Sequence, residues 1–295
     1  MTPQPRQGPP EELSPSKSGI SWVPKFDRNW RPPSPQDTAS EASLAWSAGQ
    51  AEMLRRASSN PEYFALDSGL VQTWDKADPA HPYKCLPIDE PYLRYFLRWL
   101  TNQQKVAIPK CRDMIATLTV CLYLLNRAMF GDGKEVLCLS DKSEKSEHNL
   151  GRILFAYQSM PPPVQAMIPM SFTKGTSGDP RIIRFRARPP LWPGGPEFRG
   201  SKIEAIAQGA EQVQEYHPSI LFWDQVETTK RPRETYDAII PVVKEPIFDA
   251  AMTQDRAARD ASGAVISDTW VQFIIMGVAA PGFWKQIVFD QLDLA

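Results

Sequence analysis

Two short stretches carry residue types that could manage a phosphate and a divalent cation. In the first, Lys110 and Arg112 stand between an apolar run at 105–109 and a segment of helical spacing that begins near Ala116. A phosphate at such a strand-to-helix turn would meet free backbone N–H groups, the positive end of the helix and both cations, with the Thr117 hydroxyl in reach of a magnesium ion. The GxxxxGK[ST] spelling of that chemistry is missing: both glycines are absent and Ala116 stands at the lysine position. Two cations before a helix are also an ordinary solvated surface. The second stretch, Ser219-Ile220-Leu221-Phe222-Trp223-Asp224-Gln225, reads as an apolar strand that ends in an acid, so Asp224 would offer a carboxylate to a cation just beyond the sheet. The following Gln225 is an amide and cannot accept a proton. Such a pair is better suited to holding a phosphate and a metal than to activating a water.

The elements that must position these residues follow from periodicity. Strands are predicted at 105–109, 135–139, 181–186, 202–207, 219–224 and 271–276, and helices at 116–129, 143–157, 234–240, 247–259 and 283–290. This alternation predicts right-handed crossovers and a mainly parallel sheet with helices on both faces, a three-layer α/β/α fold. Ahead of it, Pro91 opens a helix with a wide apolar face over 91–100, and small and apolar residues at helical spacing predict another helix over 41–56. The stretches 160–170 and 188–200 are rich in proline and read as loops, the second an insertion between two strands of a hairpin. Residues 1–40 are crowded with proline and serine and read as a disordered arm. The domain plan is therefore an arm at 1–40, a helical and irregular lead-in at 41–85 and a compact domain at 86–295.

Composition narrows the partners. Lys plus Arg total 33 against 34 Asp plus Glu, so nucleic acid or an anionic membrane would have to be met by a local patch. Arg184, Arg186 and Arg188 alternate and could form a positive stripe on one face of a strand, although exposed arginines on a sheet edge are the commoner meaning. The four cysteines lack CxxC spacing and the three histidines are scattered, which argues for free thiols and against a zinc site. The apolar run at 115–130 is shorter than a bilayer span and is interrupted by Asn126 and Arg127, so it is expected to be a buried core helix. A secretory signal and a membrane partner are not expected.

The order of these features resembles the large subunit of phage terminases, the motors that package viral DNA. Many members have a deviant phosphate loop, Pro-Lys-Ser-Arg-Gln-Met, two variable residues and Ser or Thr. Here the run is Pro109-Lys110-Cys111-Arg112-Asp113-Met114-Ile115-Ala116-Thr117. The strand ending in Ser140 before a charged helix, the later Tyr157 and Pro161, the segment from Gly200 to Gln212 and the Pro218–Asp224 strand follow in the family's order, as does the strand before Gly277. The resemblance spans about 85–290. It implies a P-loop NTPase-type fold that binds ATP and Mg2+, with the nucleotide held by Lys110, Cys111, Arg112, Asp113, Met114, Ile115, Ala116 and Thr117, and the metal held by Thr117 and Asp224. It further implies an ATP hydrolase that assembles as a ring on a portal, with double-stranded viral DNA and a small terminase subunit as partners, at the procapsid in the host cytoplasm.

Three departures from the family pattern fall on catalysis. Ile115 takes a position that is often glycine, and a β-branched residue is expected not to adopt a positive φ there. Gln225 replaces the catalytic acid, and Gly277 stands where a hydroxyl would sense phosphate. Glu227 is a substitute candidate beside Asp224 and Gln225, provided the chain stays extended past Asp224 so that residues 225 and 227 share a side; a solvated loop acid is the plainer expectation. The nuclease domain usual after the ATPase is not expected within 295 residues. A non-catalytic assembly protein that keeps the ATPase fold is the alternative.

Overall fold

The computed structural model describes residues 48–74, 83–87, 90–110, 115–192, 194–207, 213, 215–244 and 271–278. The expected arm at 1–40, the helices at 247–259 and 283–290, and residues Cys111, Arg112, Asp113 and Met114 lie outside them.

Helix α1 (Ala48–Ser59) is followed by a π-helical turn (Tyr63–Asp67), a two-stranded ribbon of β1 (Thr73–Trp74) and β2 (Tyr83–Lys84), and helix α2 (Pro91–Asn102). Strand β3 (Lys105–Lys110) then leads to α3 (Ala116–Phe130), β4 (Glu135–Ser140) and α4 (Ser143–Gln158). A short α5 (Pro162–Met167) precedes β5 (Met170–Lys174), β6 (Pro180–Phe185) and β7 (Ser201–Ala207); β8 (Ile220–Asp224), α6 (Pro232–Lys244) and β9 (Gln272–Val278) complete the order.

Among the described residues, seven strands form one sheet in the order β3-β9-β8-β4-β7-β6-β5. The first five run parallel, and β6 and β5 are added antiparallel. The mainly parallel sheet with helices on both faces is as expected. Helices α3 and α4 cover one face together with Val106, Ile108, Cys138, Phe222, Ile274 and Met276. On the other face α6 packs Tyr236, Ile239 and Val243 on Leu139, Leu221, Trp223, Phe273 and Ile275. Strands buried on both sides read as unbroken apolar runs, and all five residues of β8 are buried. The edge position of β3 tolerates Pro109, which has no N–H to donate.

Helix α3 has no polar face: eleven of its residues are buried, Asn126 among them. The Asn126 Nδ2 donates to the Ala57 carbonyl at 2.7 Å, tying α3 to α1. The packed core reaches back to Met53, because Leu54, Ala57, Phe64 and Leu70 join the α3 side. Helix α3 ends at Gly131, whose N–H donates to Arg127 O; a Cβ there would come within 2.4 Å of that oxygen, so the close turn requires glycine.

Several sequence expectations are corrected. The loop expected at 160–170 holds α5 and leads directly into β5. That edge strand was hidden because it is five residues long and half-buried or exposed, so the brief alternation of Met170 and Phe172 with Ser171 and Thr173 does not stand out. Helix α6 does not stop at 240 but runs through Pro241. The arginine stripe is broken: Arg184 is exposed on β6, but Arg188 turns inward, stacks its guanidinium 3.8 Å from the Phe198 ring centre and donates Nη2–H to Met129 O at 2.6 Å. The loop at 186–200 does join the antiparallel pair β6 and β7.

Candidate phosphate and metal site

In a parallel sheet, binding crevices form beyond the carboxyl ends of the strands. Lys110 ends β3, Asp224 ends β8, and β9 runs between them. Thr117 lies in the first turn of α3, which returns past the same rim. The Lys110 ammonium donates to Thr117 Oγ1 at 2.6 Å and to Asp224 Oδ1 at 3.1 Å. Both side chains of the ion pair are largely withdrawn from water, with exposures of 13% and 3%. A bare carboxylate at that depth would be strongly disfavoured, so the pairing is what allows Asp224 to stay there.

Among the described residues Asp224 has two further donors. The Gln225 backbone N–H reaches Oδ1 at 3.0 Å, and Asn149 Nδ2 donates to Oδ2 at 3.2 Å. Arg152 Nη1 donates in turn to Asn149 Oδ1, which fixes which way the amide faces. Neither Asn149 nor Arg152 was singled out from sequence. The available signal was a polar residue on the buried stripe of α4, where Asn149 lies beside Leu150 and Ile153. Nearby, Cys121 and Cys138 are buried free thiols. Burial pushes Cys121 up to about 12 and Cys138 well above its ordinary value, so both are protonated and inert at neutral pH.

The backbone is strained on both sides of the site. Ile115 adopts φ 54 and ψ 5 at the start of α3, which overturns the expectation that a β-branched residue would refuse a positive φ. Its carbonyl accepts from Thr119 N at 3.0 Å and Thr119 Oγ1 at 3.1 Å, and its side chain packs on the main core. These contacts hold a conformation that costs about 1–3 kcal/mol. Gln225 has φ 56 and ψ 46 and turns the chain directly into a 3₁₀ turn, Val226–Thr228. The extended path expected to carry Glu227 alongside residue 225 is therefore absent. Glu227 nonetheless turns inward: its Oε2 is buried without a hydrogen-bond partner among the described residues and rests against Gly277 of β9. Ala116 is a buried helix residue that packs in the core and presents no polar side chain.

Thr117 and Asp224 provide two hard oxygens, a donor set that suits Mg2+, which takes few protein ligands and completes its shell with phosphate oxygens and water. The Lys110 ammonium already lies between those two oxygens as a stand-in cation, so the residues fit such an ion. Among the described residues no cluster of three His, Cys, Asp or Glu side chains could hold a metal ion, and no helix is long and apolar enough to cross a membrane.

No protein-family model and no curated protein matches this chain. Among solved structures, it is similar to the large terminase ATPase domain of Thermus phage P74-26, with 12% identity and a TM-score of 0.37 over 59% of this chain and 58% of that one. It is also similar to the HK97 bacteriophage large terminase, with 12% identity and a TM-score of 0.38 over 76% of this chain and 37% of that one. The chain thus spans less than two thirds of the length of each.

Proposed function

We propose that the chain is the ATPase part of a terminase-like packaging motor and that it binds ATP with Mg2+ at the rim of β3 and β8. The observation that carries this reading is the meeting of Lys110, Thr117 and Asp224 at one part-buried point. Lys110 would move from that point to the phosphates, leaving Thr117 and Asp224 to the metal. Asn149 and the Gln225 N–H would keep the Asp224 carboxylate oriented while this happens. The bound magnesium would neutralise phosphate charge, the main requirement in phosphoryl transfer. Cys111, Arg112, Asp113 and Met114 complete the proposed phosphate loop on the strength of the motif alone.

Coupling to movement of double-stranded viral DNA, a ring on a portal and a small terminase partner belong to the same proposal, supported by the resemblance of the motifs. Calorimetry tests the core of it: the unmodified chain should bind ATP only with Mg2+, and Lys110→Ala or Asp224→Ala should abolish binding. Absence of binding to the unmodified chain would refute the reading. A DNA fragment titrated at two salt concentrations tests the DNA arm, since phosphate contacts weaken steeply with salt.

A further inference from the structure

Reading Lys110, Thr117 and Asp224 as a nucleotide site leaves one acid unexplained. Glu227 lies three residues past Asp224, and its Oε2 is buried with no hydrogen-bond partner among the described residues. A carboxylate oxygen buried without a donor is a costly arrangement that calls for a reason. The space it fills exists only because residue 277 is glycine: a Cβ there would lie 2.3 Å from Glu227 Oε2 and 2.7 Å from Val226 Cγ2. Gly277 is paired with Pro109 of β3 and directly follows Met276, the partner of Asp224. The carboxylate thus rests on the rim of the strand that separates Lys110 from Asp224. The left-handed turn at Gln225 sends the chain over that rim, and Lys145 Nζ donates to Thr228 Oγ1 at 3.4 Å, linking the turn to α4.

We infer that Glu227 is the catalytic carboxylate of this site and that Gly277 is the hollow that admits it. The inference rests on the ATP reading above and deepens it. Two departures from the family pattern, an amide at 225 and no side chain at 277, then belong to one rearrangement in which the acid has moved along the turn. In the step, Glu227 takes a proton from a water whose oxygen forms a bond to the γ-phosphorus of ATP. The bond from that phosphorus to the β–γ bridging oxygen breaks, its electron pair leaves with ADP, and inorganic phosphate is released.

The test uses the full chain and the near-isosteric Glu227→Gln, with melting temperature as a check on folding. Three quantities are read: ATP binding with Mg2+ by calorimetry, turnover, and the affinity for ADP with aluminium fluoride relative to ADP alone. The variant should bind ATP within a few-fold of the unmodified chain, lose about a hundred-fold to ten-thousand-fold in turnover and lose the added affinity for the aluminium fluoride complex. Gly277→Ala should do the same by displacing the carboxylate, and its melting temperature should recover in part when combined with Glu227→Ala. Turnover within threefold of the unmodified chain, or an unchanged aluminium fluoride preference, overturns the inference. An unmodified chain that binds ATP without hydrolysing it also overturns the inference but leaves the binding reading standing; one that does not bind ATP overturns both.

Discussion

Replacing Lys110 by alanine should convert a closed cation position into an open one. In the folded chain the ammonium bridges Thr117 Oγ1 and Asp224 Oδ1, and Asp224 is buried with 3% side-chain exposure. Removing one partner of a buried ion pair typically costs about 3–5 kcal/mol. Asp224 keeps its bonds from Gln225 N and Asn149 Nδ2, so the loss should fall near about 3 kcal/mol, the low end of that range. At about 2–4 °C per kcal/mol for a domain of this size, the melting temperature should drop by roughly 6–12 °C. A divalent cation can then take the vacated place. At a hundred times its dissociation constant it would return about 2.7 kcal/mol, most of what was lost. The assay is thermal unfolding with and without Mg2+ or Mn2+ and no nucleotide. The unmodified chain should not respond to metal alone, Lys110→Ala should, and Lys110→Ala with Asp224→Asn should not. An equal metal response in the unmodified chain, or none in Lys110→Ala, would refute the view that the ammonium stands in for the metal.

Asn149→Leu removes the donor to Asp224 Oδ2 and leaves a buried oxygen unpaired, so a stability loss of about 1–3 kcal/mol is expected. A loss of about 10–100-fold in Mg2+-dependent nucleotide affinity should accompany it, read by calorimetry. At the left-handed Gln225, glycine should be neutral or stabilising by up to about 1 kcal/mol and valine destabilising by about 1–2 kcal/mol in chemical denaturation; the reverse order would deny the positive φ. Hydrogen bonds from Arg98 and then Arg94, working against burial, hold Glu62 below its ordinary value of 4.5. A lowered folded value means that its stabilising contribution is complete above about 4.5 and fades as the pH falls through the folded value. Melting measured at pH 6 and pH 3.5 should therefore show a smaller acid loss for Glu62→Gln than for the unmodified chain.

Much of the fold was legible because its signals are local. Strands such as 219–224 and helices such as 143–157 announce themselves by apolar runs and by periodicity, which depend only on near neighbours in the chain. Strand β5 was not legible, since its alternation of Met170 and Phe172 with Ser171 and Thr173 is too short, and too little buried, to set it apart from the proline-rich stretch before it. The order of the strands was hidden as well. A strand buried on both faces looks the same wherever it sits in a parallel sheet, so nothing in β9 says that it lies between β3 and β8.

The residue types for a phosphate and metal site, and the likeness of their order to a packaging motor, were determined by the sequence alone. Their meeting was decided by the tertiary structure, which brings Lys110 to Asp224 across 114 residues, supplies Asn149 from a helix chosen for its packing face, and turns Glu227 inward over Gly277. The physical reason is that residue chemistry and helix or strand periodicity are properties of short segments. A buried ion pair, a positive φ at Ile115 and a hollow at a glycine exist only once distant segments share one low-dielectric space and their packing repays the strain.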